Sequence, residues 1–123
     1  MNIMEPFNDE FRRRTKQNSL KIMRIYTGLK SRDESKIIGK QLLRSSSSVA
    51  ANFRAVCRAR SAAEHFSKLC IVIEECDETL FWLEMLEESG LVQSNLLTEI
   101  KQETLAILSV MSSTRKKLKG NQN

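Results

Sequence analysis

Residues 42–54 read Leu-Leu-Arg-Ser-Ser-Ser-Ser-Val-Ala-Ala-Asn-Phe-Arg, and they decide the fold class of this chain. At about 100° per residue they form a helix with two opposite faces, one apolar with a few polar positions and the other basic. Such a helix buries its apolar face in a bundle and leaves its charges to solvent or to a partner. The chain has only four Gly and one Pro in 123 residues. An all-α fold is therefore predicted.

Helix start and stop signals divide the chain into four helices. Asn8 is the expected first N-cap, and the S-x-x-E segments at Ser31 and Ser61 predict capping boxes. Gly28 and Gly90 mark helix ends. The predicted helices cover residues 8–29, 32–58, 62–89 and 95–118, within one domain of residues 1–123. Because the connections between them are short, the sequence predicts an antiparallel up-down-up-down four-helix bundle.

The side chains that catalysis or metal binding needs do not occur in the required patterns. A di-metal bundle site needs Glu-x-x-His segments on facing helices. The only histidine, His65, has no glutamate three residues before it. No glycine-rich phosphate loop or nucleophile motif is present. We therefore expect no enzyme activity, no catalytic residue, no metal and no cofactor.

Cysteine usage and hydropathy predict a compartment. Cys57, Cys70 and Cys76 form an odd number without a C-x-x-C pair, which is typical of small core residues in a reducing environment. The N-terminal segment lacks the apolar stretch of a signal peptide, and no uncharged run approaches the roughly 20 residues that span a bilayer. A cytoplasmic, soluble protein without a membrane partner is expected.

Charge is distributed unevenly along the chain, whose net charge is +5. Residues 1–60 carry 14 Lys/Arg and 5 Asp/Glu, whereas residues 61–123 carry 6 and 10. This asymmetry indicates either a polyanionic partner or attraction between the two halves within the bundle or between subunits. The cations near the C-terminus, Arg115, Lys116, Lys117 and Lys119, are placed where they complement the dipole of the last helix.

One line along the second predicted helix carries five cations, Lys36, Lys40, Arg44, Arg54 and Arg58. They span about 33 Å at 1.5 Å per residue, which is long enough to follow several phosphates. The row contains no aromatic residue for base stacking, so it predicts a nucleic-acid-binding surface that contacts the backbone with little sequence selectivity. The alternative is a solvated face, or one paired with the acids of the third helix.

Two polar residues fall on the face of the same helix that is expected to be buried. Ser45 and Asn52 are assigned to a structural polar core, since a buried amide without partners would cost a few kcal/mol. A hydrogen bond from Asn52 to a neighbouring helix is the favoured interpretation, with ligand binding as the alternative. The small residues around them, 45–48 and 50–51, are expected to form a notch that permits close approach of another backbone.

The third predicted helix has more apolar residues than its core face requires. Ile71, Trp82 and Met85 fall on the other side, among acids that include Glu74 and Glu78. An outward Trp among acids is typical of an interface with a basic partner, so these five residues are predicted to form an oligomer interface. The alternative is a partly shielded Trp on a monomer.

The central part of the chain resembles a known family, the four-helix-bundle 23S rRNA intervening-sequence proteins of bacteria. The resemblance rests on Leu42, Arg44-Ser45, Ser48, Ala51-Asn52, Arg54, Arg58-Ala59-Arg60-Ser61, Glu64, Ser67-Lys68-Leu69, Glu75, Asp77-Glu78-Thr79, Trp82-Leu83 and Leu86. It covers a third to a half of the chain. Relatives carry a glutamate after the Asn-x-Arg segment where this chain has Ala55 and Val56, so a function of that glutamate is in doubt here.

The resemblance implies a left-handed antiparallel bundle, assembly as a ring-like homopentamer and an association with RNA. The accessory variability proteins of diversity-generating retroelements are similar in fold and assembly and work with nucleic acid. The leading hypothesis is a non-enzymatic homo-oligomer that binds nucleic acid, RNA in preference to DNA. The alternative is an interaction scaffold that holds a protein partner and has no nucleic-acid role.

Overall fold

Four helices joined by short turns make up this computed structural model, which describes residues 4–29 and 31–121. The helices are α1 (Glu5–Thr27), α2 (Asp33–Cys57), α3 (Ala62–Glu88) and α4 (Ser94–Asn121). No strand occurs within the described ranges. The predicted all-α fold with four helices is confirmed, and every helix end lies within three residues of the predicted one.

Only one of the two predicted capping boxes supplies a side-chain cap. Ser61 is the N-cap of α3, and its hydroxyl oxygen accepts the backbone N–H of Glu64 at 3.1 Å. The prediction for Ser31 is wrong, because Arg32 is the N-cap of α2 and has no side-chain cap hydrogen bond. Ser31 therefore lies one residue too early to reach the free amides of the first turn.

α1 begins earlier than its predicted cap. Glu5 is its first residue, and the backbone N–H of Asn8 donates to the carbonyl oxygen of Met4 at 2.8 Å, so Asn8 lies inside the helix. Pro6 in the first turn explains this start, since proline has a helical φ and needs no hydrogen-bond acceptor there.

The interior contains two apolar clusters, one toward each end of the bundle. The first core cluster comprises Phe11, Val49, Phe53, Val56, Leu69, Val72, Ile73, Cys76, Ile107 and Met111. The second core cluster comprises Ile22, Ile38, Leu42, Leu83, Leu86, Val92, Leu97 and Ile100. The first draws on the earlier halves of α1 and α3 and the later halves of α2 and α4, and the second draws on the opposite halves.

A layer of buried polar side chains separates the two clusters. This polar layer consists of Asn18, Ser19, Ser45, Ser46, Thr79 and Thr104. The Asn18 amide donates to the Thr104 hydroxyl at 3.0 Å, the hydroxyls of Ser19 and Ser46 lie 3.3 Å apart, and the Thr79 hydroxyl donates to Ser45 at 3.0 Å. These contacts join α1 to α4, α1 to α2 and α2 to α3. Sliding α1 along α2 or α4, or α2 along α3, would separate these partners. The hydroxyls of Ser45, Ser46, Thr79 and Thr104 would keep only their bonds to carbonyls of their own helices.

Asn52, predicted to share this polar core with Ser45, lies outside the layer. Its side chain is half-buried, and its amide donates to the carbonyl and hydroxyl oxygens of Ser48 at 2.9 and 3.0 Å. The expected bond to a neighbouring helix is therefore wrong.

Candidate nucleic-acid interface

The five predicted cations of α2 lie on its solvent face, and we call them the basic row. Lys36, Lys40, Arg44, Arg54 and Arg58 are all exposed. The buried residues Leu42, Val49 and Phe53 occupy the opposite side of the helix. The helical spacing that predicted the row thus places all five side chains where an external partner can reach them.

Arg44 is the one member of the basic row that α3 neutralises. Its guanidinium donates to Glu75 at 3.1 Å, makes a close ion pair with Glu78 and donates to Gln41 at 3.1 Å. The prediction that Arg44 is free to bind a phosphate is therefore corrected. Arg44 thus lies on the side of α2 that faces α3, whereas Arg54 lines a groove next to α1.

The other four cations of the row are not neutralised in this way, and they lie toward the two opposite ends of α2. Lys36, Lys40, Arg54 and Arg58 have no ion pair within the part of the chain that the structure describes. Lys36 and Lys40 follow the exposed acids of the first turn of α2, Asp33 and Glu34, whereas Arg54 and Arg58 lie at the other end of the helix.

A groove of about 560 Å³ runs beside the basic row, between α1 and α2. Its walls are Arg12, Lys16, Ser19, Leu20, Ser47, Ala50, Ala51 and Arg54. The groove exists because Ser47, Ala50 and Ala51 have short side chains. The notch expected of residues 45–48 and 50–51 is divided in the structure, since Ser45 and Ser46 are buried against other helices and Ser47 and Ala51 are exposed.

Two cations of α1 line this groove, and only one of them has an ion pair within the described ranges. Arg12 makes ion pairs with Glu5 and Asp9 within its own helix. Lys16 is exposed and has no ion pair among the described residues. The charge available to a ligand in the groove is therefore that of Lys16 and Arg54.

The predicted oligomer interface lies on the outer side of α3, with one exception. Glu74 and Met85 are exposed, and Ile71 and Glu78 are half-buried. Trp82 does not project outward as expected. It packs against the second core cluster, and its indole N–H donates to Glu78 at 3.2 Å.

Phe81 is an exposed aromatic on this face that the sequence reasoning missed. Its side chain is 49% exposed and its ring makes an edge contact with Trp82 at 4.9 Å between centroids. Its helical position, one turn before Met85, is the signal that could have identified it. The outer side of α3 is thus both apolar and acidic.

Neither a metal site nor a membrane span is found among the residues that the structure describes. Within residues 4–29 and 31–121, no group of three or more His, Cys, Asp or Glu is placed to hold a metal ion. None of the helices there has an apolar stretch that could span a bilayer. The three cysteines are free, with Cys76 buried and Cys57 and Cys70 half-buried.

Comparison with known proteins gives the family. A family profile described as the 23S rRNA-intervening sequence protein matches residues 9–113. The chain belongs to this family. A crystal structure of an S23 ribosomal protein family member of unknown function from Bacteroides thetaiotaomicron is similar in fold, with a TM-score of 0.81 and 27% identity over 89% of this chain and 97% of that one. No curated protein matches the sequence.

Membership accounts for more of the chain than the central resemblance did. The match to the 23S rRNA-intervening sequence proteins includes most of α1 and α4, which lie outside the residues that carried the resemblance. The basic row and the outer side of α3 both lie inside the matched range.

Proposed function

We propose that this protein is a non-enzymatic, cytoplasmic homo-oligomer that binds the phosphate backbone of RNA through the basic row of α2. Its main support is that Lys36, Lys40, Arg54 and Arg58 are exposed and have no ion pair within the described part of the chain. A cation without a carboxylate partner can displace counterions from phosphates, which supplies most of the affinity for nucleic acids. The family description, which refers to 23S rRNA, favours RNA over DNA.

We further propose an antiparallel up-down-up-down bundle that assembles as a pentamer. The alternation of helix halves in the two core clusters supports the antiparallel order. The exposed apolar side chains of Phe81 and Met85 on α3 support assembly, because burying them between subunits removes apolar surface from water. The number of five comes from the family resemblance.

Charge reversal of the basic row tests the RNA proposal. A variant with Lys36, Lys40, Arg54 and Arg58 replaced by Glu should lose binding to a labelled RNA hairpin in fluorescence anisotropy while keeping its helicity and its mass. Wild-type affinity should fall steeply between about 50 and 200 mM salt. Unchanged binding by the variant at equal salt would contradict the proposal.

Arg44 is left out of that variant because its replacement changes the bundle itself. Removing its guanidinium would leave Glu75 and Glu78 facing each other without a cation. We expect Arg44→Gln to lower stability by up to about 1 kcal/mol in urea denaturation, the usual range for an exposed pair. RNA affinity should change little.

The second candidate function is a scaffold that binds a protein partner and no nucleic acid. The apolar and acidic outer side of α3 favours it, since Phe81 and Met85 lie beside Glu74 and Glu78. On this alternative, reversal of the basic row would break contacts between subunits. A loss of oligomer mass in light scattering, with no RNA binding by the wild type, would support the scaffold.

Assembly is tested separately through α3. Wild-type protein should have five times the chain mass of 14.1 kDa in light scattering. Ile71→Glu with Met85→Glu adds charge to the proposed interface without touching the buried Leu83 or Leu86. This variant should dissociate while remaining helical, and a pentamer that persists would exclude this face as the interface.

A further inference from the structure

Folding gathers the cations of this chain at one end of the bundle. The outer turns around the first core cluster contain 12 Lys/Arg and 4 Asp/Glu. They comprise residues 5–16, 51–72 and 108–121. The remaining described residues contain 7 Lys/Arg and 11 Asp/Glu. We call the first group the basic end. The acids that dominate α3 begin at Glu74, beyond the basic end.

All four carboxylates of the basic end are already engaged. Glu5 and Asp9 pair with Arg12, Glu10 pairs with Arg14, and Glu64 pairs with Arg60. Arg14 also binds Glu103 of α4 at 2.6 Å. This end therefore has no carboxylate left to neutralise its other nine cations, within the described residues.

Those nine cations come from every helix. The last turns of α4 supply Arg115, Lys116, Lys117 and Lys119, and Lys68 lies on α3.

The other four of the nine cations come from the first two helices. They are Arg13 and Lys16 of α1, and Arg54 and Arg58 at the end of α2. The sequence reasoning had assigned the α4 cations to the dipole of their own helix. The fold instead places them at the same end as Arg54 and Arg58, which are far away in sequence.

The opposite end of the basic row has a different environment. Lys36 and Lys40 share that end of the bundle with Asp33, Glu34, Glu84 and Glu88, none of which has an ion pair among the described residues. Charges of opposite sign within a Debye length of about 10 Å reduce each other's attraction for a polyanion. The potential along the basic row therefore rises from Lys36 toward Arg58.

Two grooves open at the basic end. The α1–α2 groove contributes Lys16 and Arg54. A second groove, of about 400 Å³ between α3 and α4, is lined by Phe66, Cys70, Ser112, Arg115, Lys116 and Lys119. Phe66 is half-buried and gives this groove an aromatic ring, which the basic row lacks. A base of a single-stranded segment could stack there while its phosphates contact the flanking cations.

We infer that RNA docks on the basic end of the bundle, with the α3–α4 groove as its principal contact and the Arg54–Arg58 part of the basic row beside it. This inference rests on the proposed function and adds a second contact surface to the basic row.

Two variants with equal charge change separate this surface from the opposite end of the bundle. The first replaces Lys116 and Lys119 with Gln, both at the basic end and neither on α2. The second replaces Arg24 and Arg32 with Gln at the opposite end, outside the basic row. All four residues are exposed and have no ion pair within the described ranges, so both variants should fold normally. Circular dichroism and light scattering verify fold and mass.

Binding affinity is measured by anisotropy titration of a labelled RNA hairpin that carries a single-stranded loop. A DNA duplex with the stem sequence of the hairpin serves as the comparison. We expect the first variant to weaken RNA binding at least about tenfold and to lower the slope of log affinity against log salt by about two. The second variant should stay within about twofold of wild type.

Each other result has its own meaning. If the second variant loses as much affinity as the first, or if the first binds RNA as tightly as wild type, the basic end is not the preferred contact; the proposed function survives and the basic-end inference fails. If the first variant loses mass but binds RNA normally, the basic end is a contact between copies and the inference fails. If wild-type protein binds no RNA in a salt-dependent way, the proposed function itself fails. Preference for the DNA duplex would overturn the assignment to RNA.

Discussion

Gly39 marks a close approach between the end of α1 and the early turns of α2. A Cβ built on this residue would lie 2.7 Å from a methyl carbon of Leu29 and 2.8 Å from the ring of Tyr26, distances that side chains do not tolerate without moving. We expect Gly39→Leu to destabilise the fold by about 1–3 kcal/mol through overpacking, measured by urea denaturation. Gly120→Ala is the control, because nothing lies within 4 Å of that glycine and its replacement should not destabilise.

Cys76 is expected to be chemically inert in the folded protein. Burial raises the pKa of its thiol to about 12, so the reactive thiolate is almost absent near neutral pH. Iodoacetamide should modify the half-buried Cys57 and Cys70 first and Cys76 only on unfolding, as peptide mass spectrometry would show. Equal labelling of all three cysteines in native buffer would contradict this.

The same shift makes stability depend on alkaline pH. The folded state keeps the Cys76 proton where the unfolded chain, with a pKa of 9.0, releases it. The stabilisation that the protonated Cys76 thiol provides is fully present below pH 9 and is lost as pH rises toward about 12. Cys76→Ser should flatten this part of the stability profile in urea titrations at several pH values.

At the level of the helices, the two S-x-x-E segments form a matched pair for a capping experiment. Ser61 caps α3 through the backbone N–H of Glu64, whereas the side chain of Ser31 has no such bond at the start of α2. Ser61→Ala should cost about 1 kcal/mol of stability. Ser31→Ala should change it by less than about 0.5 kcal/mol. Equal effects of the two substitutions would mean that Ser31 also caps its helix.

Sequence patterns predicted the helices well and their buried faces less well. Periodicity and glycine positions were sufficient for the number of helices, and the Ser61 cap was sufficient for the start of α3. The sequence did not predict that Thr15, Asn18 and Ser19 of α1 are buried. The Thr15 hydroxyl bonds within its own helix, whereas the partners of Asn18 and Ser19 lie on other helices. Thr104 is 86 residues from Asn18, and local spacing contains no sign of that pairing.

Across the whole molecule, the polar layer makes the pairing of Asn18 with Thr104 a test of coupling between α1 and α4. Thr104→Val removes the hydroxyl that accepts the Asn18 amide, and we expect a loss of about 1–3 kcal/mol because a buried donor is left unpaired. Asn18→Leu with Thr104→Val should recover part of that loss. A double-mutant cycle by urea denaturation measures the coupling, and strictly additive effects would show that the hydrogen bond contributes nothing.

The candidate interface could be predicted from sequence only where one helix contains it. The basic row was visible because its members recur at helical spacing on α2. Neutralisation of Arg44 by Glu75 and Glu78 depends on how α2 packs against α3, which spacing does not reveal. The arrangement of Arg58 and Lys116 at one end similarly depends on the order of helix directions in the bundle.

Separation of the basic end from the acidic remainder gives the protein a permanent dipole moment directed along the bundle. A polyanion approaching in solution exerts a torque on such a molecule and turns the basic end toward itself before the surfaces touch. Fewer encounters then fail because of wrong orientation, so the association rate constant rises. In proteins that use such steering the increase is about 10- to 1,000-fold, and it diminishes steeply as ionic strength increases. The charge arrangement would thus govern how quickly a complex forms as well as how strongly it holds.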